Sequence, residues 1–117
     1  MWLCSKEGFF SVVQKKGAEK LDVRTRVRAD LIALSTIHLN NPNPIIHSTT
    51  DSDYPYRIFL SHDEWAAVLM RMAQSITYPN FKRKIKQIQG HTRARFYSEV
   101  WYTMLEMGAI CDDRHSQ

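Results

Sequence analysis

The sequence predicts an α+β fold, with an antiparallel sheet of about five strands and helices packed on one face. Two observations favour this class. Segments rich in β-branched and aromatic residues alternate with turn residues near the start of the chain, and segments with a helical spacing of apolar residues dominate from Glu64 onward. The resulting order is β-β-β-α-β-β-α-α-α, for which a two-layer sandwich is the economical arrangement. A split ferredoxin-like sheet is one version of it.

The first three strands are predicted as a meander over residues 2–5, 9–15 and 21–28, with glycine-containing turns between them. In the third strand apolar residues alternate with charged ones, and successive side chains of a strand point to opposite faces. We therefore expect Arg24 and Arg26 to lie on an open face of the sheet. The face expected under the helices carries Leu21, Val23 and Val27.

A first helix is predicted after this meander. Asp30 suits the first turn of a helix, and apolar residues follow at helical spacing up to His38. The segment 40–44, which contains only Asn and Pro, ends the helix. Two further strands are then expected over residues 45–48 and 54–60, separated by a turn rich in Thr, Asp and Ser.

Three more helices complete the chain. Ser61 and Glu64 have the spacing of a capping box, which predicts that a helix begins there. Residues 81–89 form the next predicted helix, and residues 92–107 form the last, which Gly108 is expected to close. The apolar face of the last helix carries Phe96, Tyr97, Val100, Trp101, Met104 and Leu105.

Length and composition predict one soluble domain. The chain has 117 residues, of which 44% are hydrophobic and 24% charged, so residues 1–110 are interpreted as a single domain and residues 111–117 as a polar tail. No apolar run approaches the roughly 20 residues of a membrane span. Lys6 and Glu7 come too early for a signal peptide, and Cys4 and Cys111 are more typical of reduced thiols. We expect a cytoplasmic protein without a membrane partner.

The net charge of +4 is unevenly distributed. Residues 1–64 carry eight basic and eight acidic side chains, whereas residues 65–98 carry seven basic and no acidic ones. The last nineteen residues are net negative. A basic segment without compensating acids favours either an anionic partner or a solvated face.

The open sheet face is the first candidate site. Arg24, Arg26 and Arg57 can share it if the third and fifth strands lie in one sheet, and either Phe9 or Phe10 must point the same way. Arginines beside an exposed aromatic ring are typical of proteins that bind single-stranded nucleic acid. The alternative is a solvated face on which these arginines pair with Asp22 and Glu19.

A basic ridge is the second candidate site, and the charge distribution favours it over the sheet face. Neutralising several phosphates gives salt-dependent affinity that is independent of base sequence. No motif of a known nucleic-acid-binding fold accompanies it, and a plain solubilising face is the alternative interpretation. The ridge consists of Lys82, Arg83, Lys84, Lys86, Arg93 and Arg95.

Neither metal binding nor catalysis has a strong motif. The histidines are scattered, and no phosphate loop, nucleophile elbow or zincin motif is present, so we expect no metal ion, cofactor or catalytic residue. Asp51 and Asp53 beside His47 could hold Mg²⁺, although turn formation explains them equally. A phosphoester-cleaving site would use His47 or His62 with Arg57.

Several motifs are spread along the chain: Trp-Leu-Cys-Ser-Lys-Glu-Gly-Phe-Phe-Ser at residues 2–11, Arg24-x-Arg26, residues 53–58, Tyr-Pro-Asn-Phe-Lys at residues 78–82, and Tyr97-x-x-Val100-Trp101. Together they resemble a group of short uncharacterised bacterial proteins over most of the chain. The resemblance implies a stand-alone bacterial or phage-type domain and implies no activity, ligand or catalytic residue.

Three functions follow from these observations. We favour a small non-enzymatic binding module that contacts nucleic acid through the basic ridge, with the sheet arginines as a second surface. The alternative is a protein–protein interaction or regulatory module that docks on an acidic protein, and a small phosphoester-cleaving enzyme comes third. A sheet with one bare face can also pair with a second copy, so a homodimer is a further expectation.

Overall fold

The structure is a computed structural model that describes residues 1–50 and 52–112. It comprises two compact units, Met1–Thr77 and Tyr78–Gln117. The first contains a five-stranded antiparallel sheet and two helices, and the second contains two helices, so the predicted α+β class and element order are confirmed. The expectation that residues 1–110 fold as one domain stays a prediction, because compactness does not measure folding cooperativity.

The sheet of the first unit has the strand order β1-β2-β3-β5-β4, and every neighbouring pair is antiparallel. Because β5 is antiparallel to both β3 and β4, the latter two run parallel to each other with β5 between them. Helix α1 connects them, which is a split β-α-β arrangement of the kind found in ferredoxin-like sheets. The elements are β1 Trp2–Ser5, β2 Gly8–Val13, β3 Leu21–Thr25, α1 Arg28–His38, β4 His47–Ser48, β5 Tyr56–Leu60 and α2 His62–Gln74.

The core lies between one face of this sheet and the two helices. Helix α1 packs on β2, β3 and β5, and α2 packs on α1 and β5. Phe10, Val23 and Leu34 are completely buried there, and each contributes about 1.5–3 kcal/mol through removal of apolar surface from water. The remaining buried members are Val12, Leu21, Leu31, Ile58, Leu60, Trp65, Val68 and Met72.

The third strand ends earlier than predicted, and the expectation that Val27 joins the core is wrong. Strand β3 stops at the buried Thr25, whose hydroxyl donates to the carbonyl of Val27 at 2.9 Å. That carbonyl also accepts from the backbone N–H of Asp30 at 3.1 Å. These bonds turn the chain into α1, so Val27 becomes the residue before the helix and is 42% exposed.

A buried polar cluster anchors the β1–β2 turn to α1. The Asp30 carboxylate accepts from the backbone N–H of Phe9 at 3.0 Å, and Glu7 pairs with Nε2 of His38 at 2.7 Å. The side chains of Glu7 and His38 are 1% and 3% exposed. Gly8 sits against Asp30 with φ +152°, a conformation that favours glycine. The sequence predicted His38 on a buried stripe but gave no sign of its partner.

The second unit is a helical hairpin of α3 Phe81–Gln89 and α4 His91–Cys111. Asn80 caps α3 by accepting from the backbone N–H of Arg83 at 2.8 Å, and Gly90 at φ +91° connects the helices. The prediction for α3 is confirmed, but the expectation that Gly108 closes the last helix is wrong, since α4 continues through it to Cys111. The predicted tail lies mostly outside the described residues, because residues 113–117 are not part of them.

Within the described part of the chain, no helix is both long enough and apolar enough to cross a membrane.

Candidate functional site

The sheet face opposite the helices carries one continuous row of residues across all five strands. Trp2 lies opposite Ser11, Ser11 opposite Arg24, Arg24 opposite Arg57, and Arg57 opposite His47. Residues directly opposite each other in a sheet point to the same face. The neighbouring core residues Phe10, Val12, Val23 and Ile58 alternate with this row, so the row faces away from α1 and α2.

The centre of the row places two arginines side by side. Like charges directly opposite each other destabilise a sheet, so Arg24 and Arg57 need compensation. Nη1 of Arg57 donates to Oδ2 of Asp22 at 3.0 Å, and Nζ of Lys15 lies 3.4 Å from the same oxygen. Nη2 of Arg24 donates to the hydroxyl of Ser11 at 2.7 Å. Among the described residues, the buried Asp22 carboxylate therefore contacts two cations, and Arg24 bonds to Ser11 instead.

Tyr54 brings the three predicted sheet arginines together. The guanidinium groups of Arg24 and Arg26 each lie 4.8 Å from the centroid of its ring, and Nη2 of Arg57 donates to its backbone carbonyl at 3.4 Å. The ring itself is buried, with 6% exposure. Cation–π contacts of this kind contribute about 0.5–2 kcal/mol and restrict the side chains that make them. The sequence predicted Tyr54 as the start of the fifth strand, whereas β5 begins at Tyr56. It missed this role of Tyr54 because Arg24 and Arg26 lie far from it along the chain.

The arginines are held in place, but not all of their N–H donors form hydrogen bonds with the described residues. The contacts of Arg24 and Arg57 with the described residues use two of the five N–H donors on each guanidinium, so three remain on each. A planar guanidinium with fixed orientation suits bidentate recognition of a phosphate or carboxylate.

These groups surround an open concavity of about 490 Å³. Its lining combines cations with hydroxyl groups, which are donors for an anion. The lining residues are Lys15, Arg24, His47, Ser48, Thr49, Ser52 and Arg57.

Exposed aromatic rings flank the row on the same face. The Trp2 side chain is 72% exposed and meets Phe9 edge-on at 6.0 Å, and Phe9 lies 6.4 Å from Tyr54. At the other end Phe59 is 41% exposed and contacts His47 at 4.9 Å. The expectation that one phenylalanine of β2 reaches this face is confirmed for Phe9.

The alternative interpretation, in which the arginines pair with acids, holds only in part. Arg57 does pair with Asp22. Asp22 is shared with Lys15, and Arg24 and Arg26 are held by a hydroxyl group and an aromatic ring instead. Within residues 1–50 and 52–112, the contacts of Arg24 and Arg26 on this face are therefore not with acidic side chains.

The predicted basic ridge lies in the second unit. Lys82, Arg83, Lys84 and Lys86 are on α3, and Arg93 and Arg95 are on α4. Three of these cations contact aromatic side chains of α4: Lys82 lies 4.6 Å from the Trp101 ring, Nη1 of Arg93 donates to the Tyr97 hydroxyl at 3.4 Å, and Arg95 lies 5.5 Å from the Phe96 ring. Arg83, Lys86 and Arg95 are exposed.

The two histidines considered for catalysis, His47 and His62, do not lie at the same site. His47 lies opposite Arg57 and lines the concavity, whereas His62 is the exposed first residue of α2 and is not part of that lining. Asp51 of the Mg²⁺ candidate falls outside the described residues. Among residues 1–50 and 52–112, no cluster of three or more His, Cys, Asp or Glu is arranged to hold a metal ion.

No family model, curated protein or solved structure matches this chain.

Proposed function

We propose that this protein is a non-enzymatic binding module for single-stranded nucleic acid and that the open sheet face is its principal contact surface. The observation that carries the proposal is the row of residues across the five strands, which sets Arg24 directly beside Arg57. A like-charge pair at the centre of a sheet opposes stability, and such local conflicts are characteristic of functional sites.

The cations of the row supply contacts to phosphate. Lys15, Arg24 and Arg57 line the concavity, Asp22 pairs with Lys15 and Arg57, and the serine hydroxyls add neutral donors. Because Ser11, Asp22 and Tyr54 already orient the guanidinium groups, little side-chain entropy is lost when an anion binds.

The aromatic rings favour an unpaired strand over a duplex. Bases in a duplex are stacked on each other, whereas unpaired bases can stack on exposed rings with about 1–3 kcal/mol each. Trp2 and His47 lie four strand spacings apart, roughly 19 Å at about 4.8 Å per spacing. This length, with rings at both ends and cations between, suits an oligonucleotide better than a lone phosphate.

The basic ridge provides further phosphate contacts in this proposal. Its exposed members Arg83, Lys86 and Arg95 add electrostatic attraction that does not depend on base sequence. The ridge is the secondary surface, because Lys82 and Arg93 already contact aromatic side chains of α4. The proposal includes the expectation of a cytoplasmic bacterial protein.

Fluorescence anisotropy with labelled single-stranded DNA and RNA of mixed sequence tests this function. At low salt we expect wild-type protein to bind, and Arg24→Gln to weaken binding and reduce the salt slope by about one. The matched control is Arg28→Gln, since Arg28 is an exposed arginine at the start of α1 and its replacement changes the net charge equally. Equal effects of the two substitutions, or no binding by wild type, would refute the proposal.

The aromatic contribution has its own test. We expect Trp2→Ala to weaken binding by about 5- to 150-fold, the equivalent of 1–3 kcal/mol of lost stacking. Tyr102→Ala is the control, because Tyr102 is 65% exposed on α4 and lies outside the sheet. Unchanged affinity of Trp2→Ala would exclude base stacking at this ring.

Docking on an acidic protein uses the same cations but does not need the rings. A polyglutamate peptide that competes with the oligonucleotide, and whose own affinity is unaffected by Trp2→Ala, would favour that alternative. The position of His47 opposite Arg57 favours phosphoester cleavage as a third function. It requires oligonucleotide cleavage that His47→Ala abolishes while binding persists.

A further inference from the structure

Helix α4 is much longer than the helix that covers it. Helix α3 has 9 residues and α4 has 21, which correspond to about 14 Å and 31 Å at 1.5 Å per residue. The contacts between the two helices lie at the start of α4: Phe81 meets the buried Tyr97 at 5.6 Å, and Lys82 reaches Trp101. From Glu99 to the end of α4 every described residue is exposed.

The apolar stripe of α4 nevertheless continues past the end of α3. Counted from Tyr97, the apolar residues stand at positions +3, +4, +7 and +8, which is the spacing of one helix face. This is the face that Tyr97 buries against α3 in the first turns. We call these four residues the α4 stripe: Val100, Trp101, Met104 and Leu105, with exposures of 44%, 49%, 48% and 58%.

The exposed area of this region approaches that of a protein interface. A large side chain covers about 150–250 Å² when fully buried. Six half-exposed residues, the α4 stripe with Phe96 and Met107 at its edges, therefore leave roughly 500–600 Å² of apolar surface. The largest apolar patch of a typical monomer is about 300–600 Å², and a stable interface buries about 800 Å² per partner. The six residues therefore supply most of the area that one partner buries in such an interface.

The charges of the hairpin favour a second copy in antiparallel orientation. The six cations of the basic ridge lie within residues 82–95, whereas Glu99, Glu106 and Asp112 lie towards the other end of α4. A parallel pair would set basic ends beside basic ends. An antiparallel pair sets the acidic end of each α4 towards the basic hairpin of the other copy.

We propose that the α4 stripe is a homodimer interface, in which two helical hairpins pair antiparallel around a two-fold axis as a four-helix arrangement. A two-fold axis lets the same surface cover itself and closes the assembly at two chains. Bundles of this kind bury apolar stripes between antiparallel helices. The proposed interface belongs to the second unit, whereas the proposed nucleic-acid site belongs to the sheet of the first.

The oligomeric state tests the interface directly. In light scattering coupled to size exclusion, we expect wild-type protein at micromolar concentration to have twice the chain mass of 13.7 kDa. Leu105→Glu should reduce the mass to that of one chain, because it places a charge within the α4 stripe. Tyr102→Glu is the control, since it adds the same charge to the same helix. Tyr102 is not a member of the stripe, although its ring meets that of Trp101 at 4.9 Å, and the mass should stay double.

Circular dichroism of Leu105→Glu separates dissociation from unfolding, since Leu105 is more than half exposed and the variant should keep its helix content. A monomeric wild type overturns the proposal, and so does equal loss of the dimer in Leu105→Glu and Tyr102→Glu. A mass that rises beyond two chains with concentration overturns the closed two-fold arrangement.

The orientation has a separate readout at Cys111, which is exposed at the end of α4. In an antiparallel pair the two Cys111 residues lie towards opposite ends of the interface, beyond the Cα separation of about 7 Å that a disulfide tolerates. Mild oxidation of the Cys4→Ser variant should therefore yield no covalent dimer. Efficient cross-linking through Cys111 would overturn the antiparallel orientation.

Discussion

Gly8 is expected to be the least replaceable glycine of the described chain. Its φ of +152° disfavours an L side chain, and a Cβ built there would overlap the Asp30 carboxyl group, with the Cβ atom of Asp30 at 2.5 Å. The carboxylate cannot move without losing the bond that it accepts from the backbone N–H of Phe9. Gly8→Ala therefore strains the backbone and also breaks the link between the β1–β2 turn and α1.

The size of the effect follows from these two contributions. A residue in a sparsely populated backbone region costs about 1–3 kcal/mol. Loss of the Asp30 bond leaves a partly buried N–H donor unsatisfied, which costs about 1–3 kcal/mol more. Gly17 has φ +80°, and no atom lies within 4 Å of the position that a Cβ would take there, so Gly17→Ala carries the backbone cost alone. The difference between the two variants isolates the steric contribution.

Urea denaturation followed by tryptophan fluorescence measures this difference, because Trp65 is only 5% exposed in the same unit and reports its unfolding. We expect the free energy of unfolding of Gly8→Ala to be lower than that of Gly17→Ala by about 1–3 kcal/mol. If the two variants are equally stable, the close approach of Asp30 to Gly8 does not constrain this turn and the reasoning fails.

Three further predictions concern stability. Phe10→Ala should lower the free energy of unfolding by about 3–5 kcal/mol, because the ring is completely buried. In the same urea titration Phe9→Ala should cost far less, since Phe9 lies on the open face. Glu7→Ala and His38→Ala should each lower the free energy of unfolding by about 3–5 kcal/mol, because each leaves a buried partner unpaired. In a double-mutant cycle, the double variant should lose less stability than the sum of the two single losses. Additive losses would contradict a direct interaction between the two side chains. The backbone N–H of the helix-capping serine lowers the pKa of the Glu64 carboxyl group, so the ionised group stabilises the fold above its unfolded pKa of about 4.3, and that stabilisation is lost as the pH falls through the lower folded pKa. Unfolding curves should thus show a deficit of Glu64→Gln, under about 1 kcal/mol, that is larger at pH 7 than at pH 3, and an equal deficit at both pH values would contradict the assignment.

Local patterns predicted those parts of the fold that neighbouring residues decide. The capping box placed the start of α2 correctly because both of its hydrogen bonds lie within four residues. Alternation in β3 correctly assigned Val23 to the core and Arg24 to the opposite face, since a strand reverses its side chains at every residue. Val27 broke the pattern because hydrogen bonds from Thr25 and Asp30 ended the strand first.

The candidate site depended on contacts that local patterns do not contain. The sequence marked Arg24, Arg26 and Arg57 as candidates, but their meeting around Tyr54 requires β5 to insert beside β3, more than thirty residues away along the chain. Lys15 and His47 join the site for the same reason. The distribution of charge along the sequence favoured the basic ridge instead, because it shows where cations occur in the chain but not which groups they contact.

The sequence by itself determined the α+β class, the order of the elements and the faces of side chains inside regular strands such as β3, because these depend on periodicity and on capping bonds within a few residues. Only the tertiary structure decided what each face meets. It paired Arg24 with Arg57 across two strands that are distant in sequence, and it left much of the α4 stripe exposed because α3 is too short to cover it. Periodicity specifies the face of a helix or strand, whereas strand order and relative helix length decide whether that face is buried.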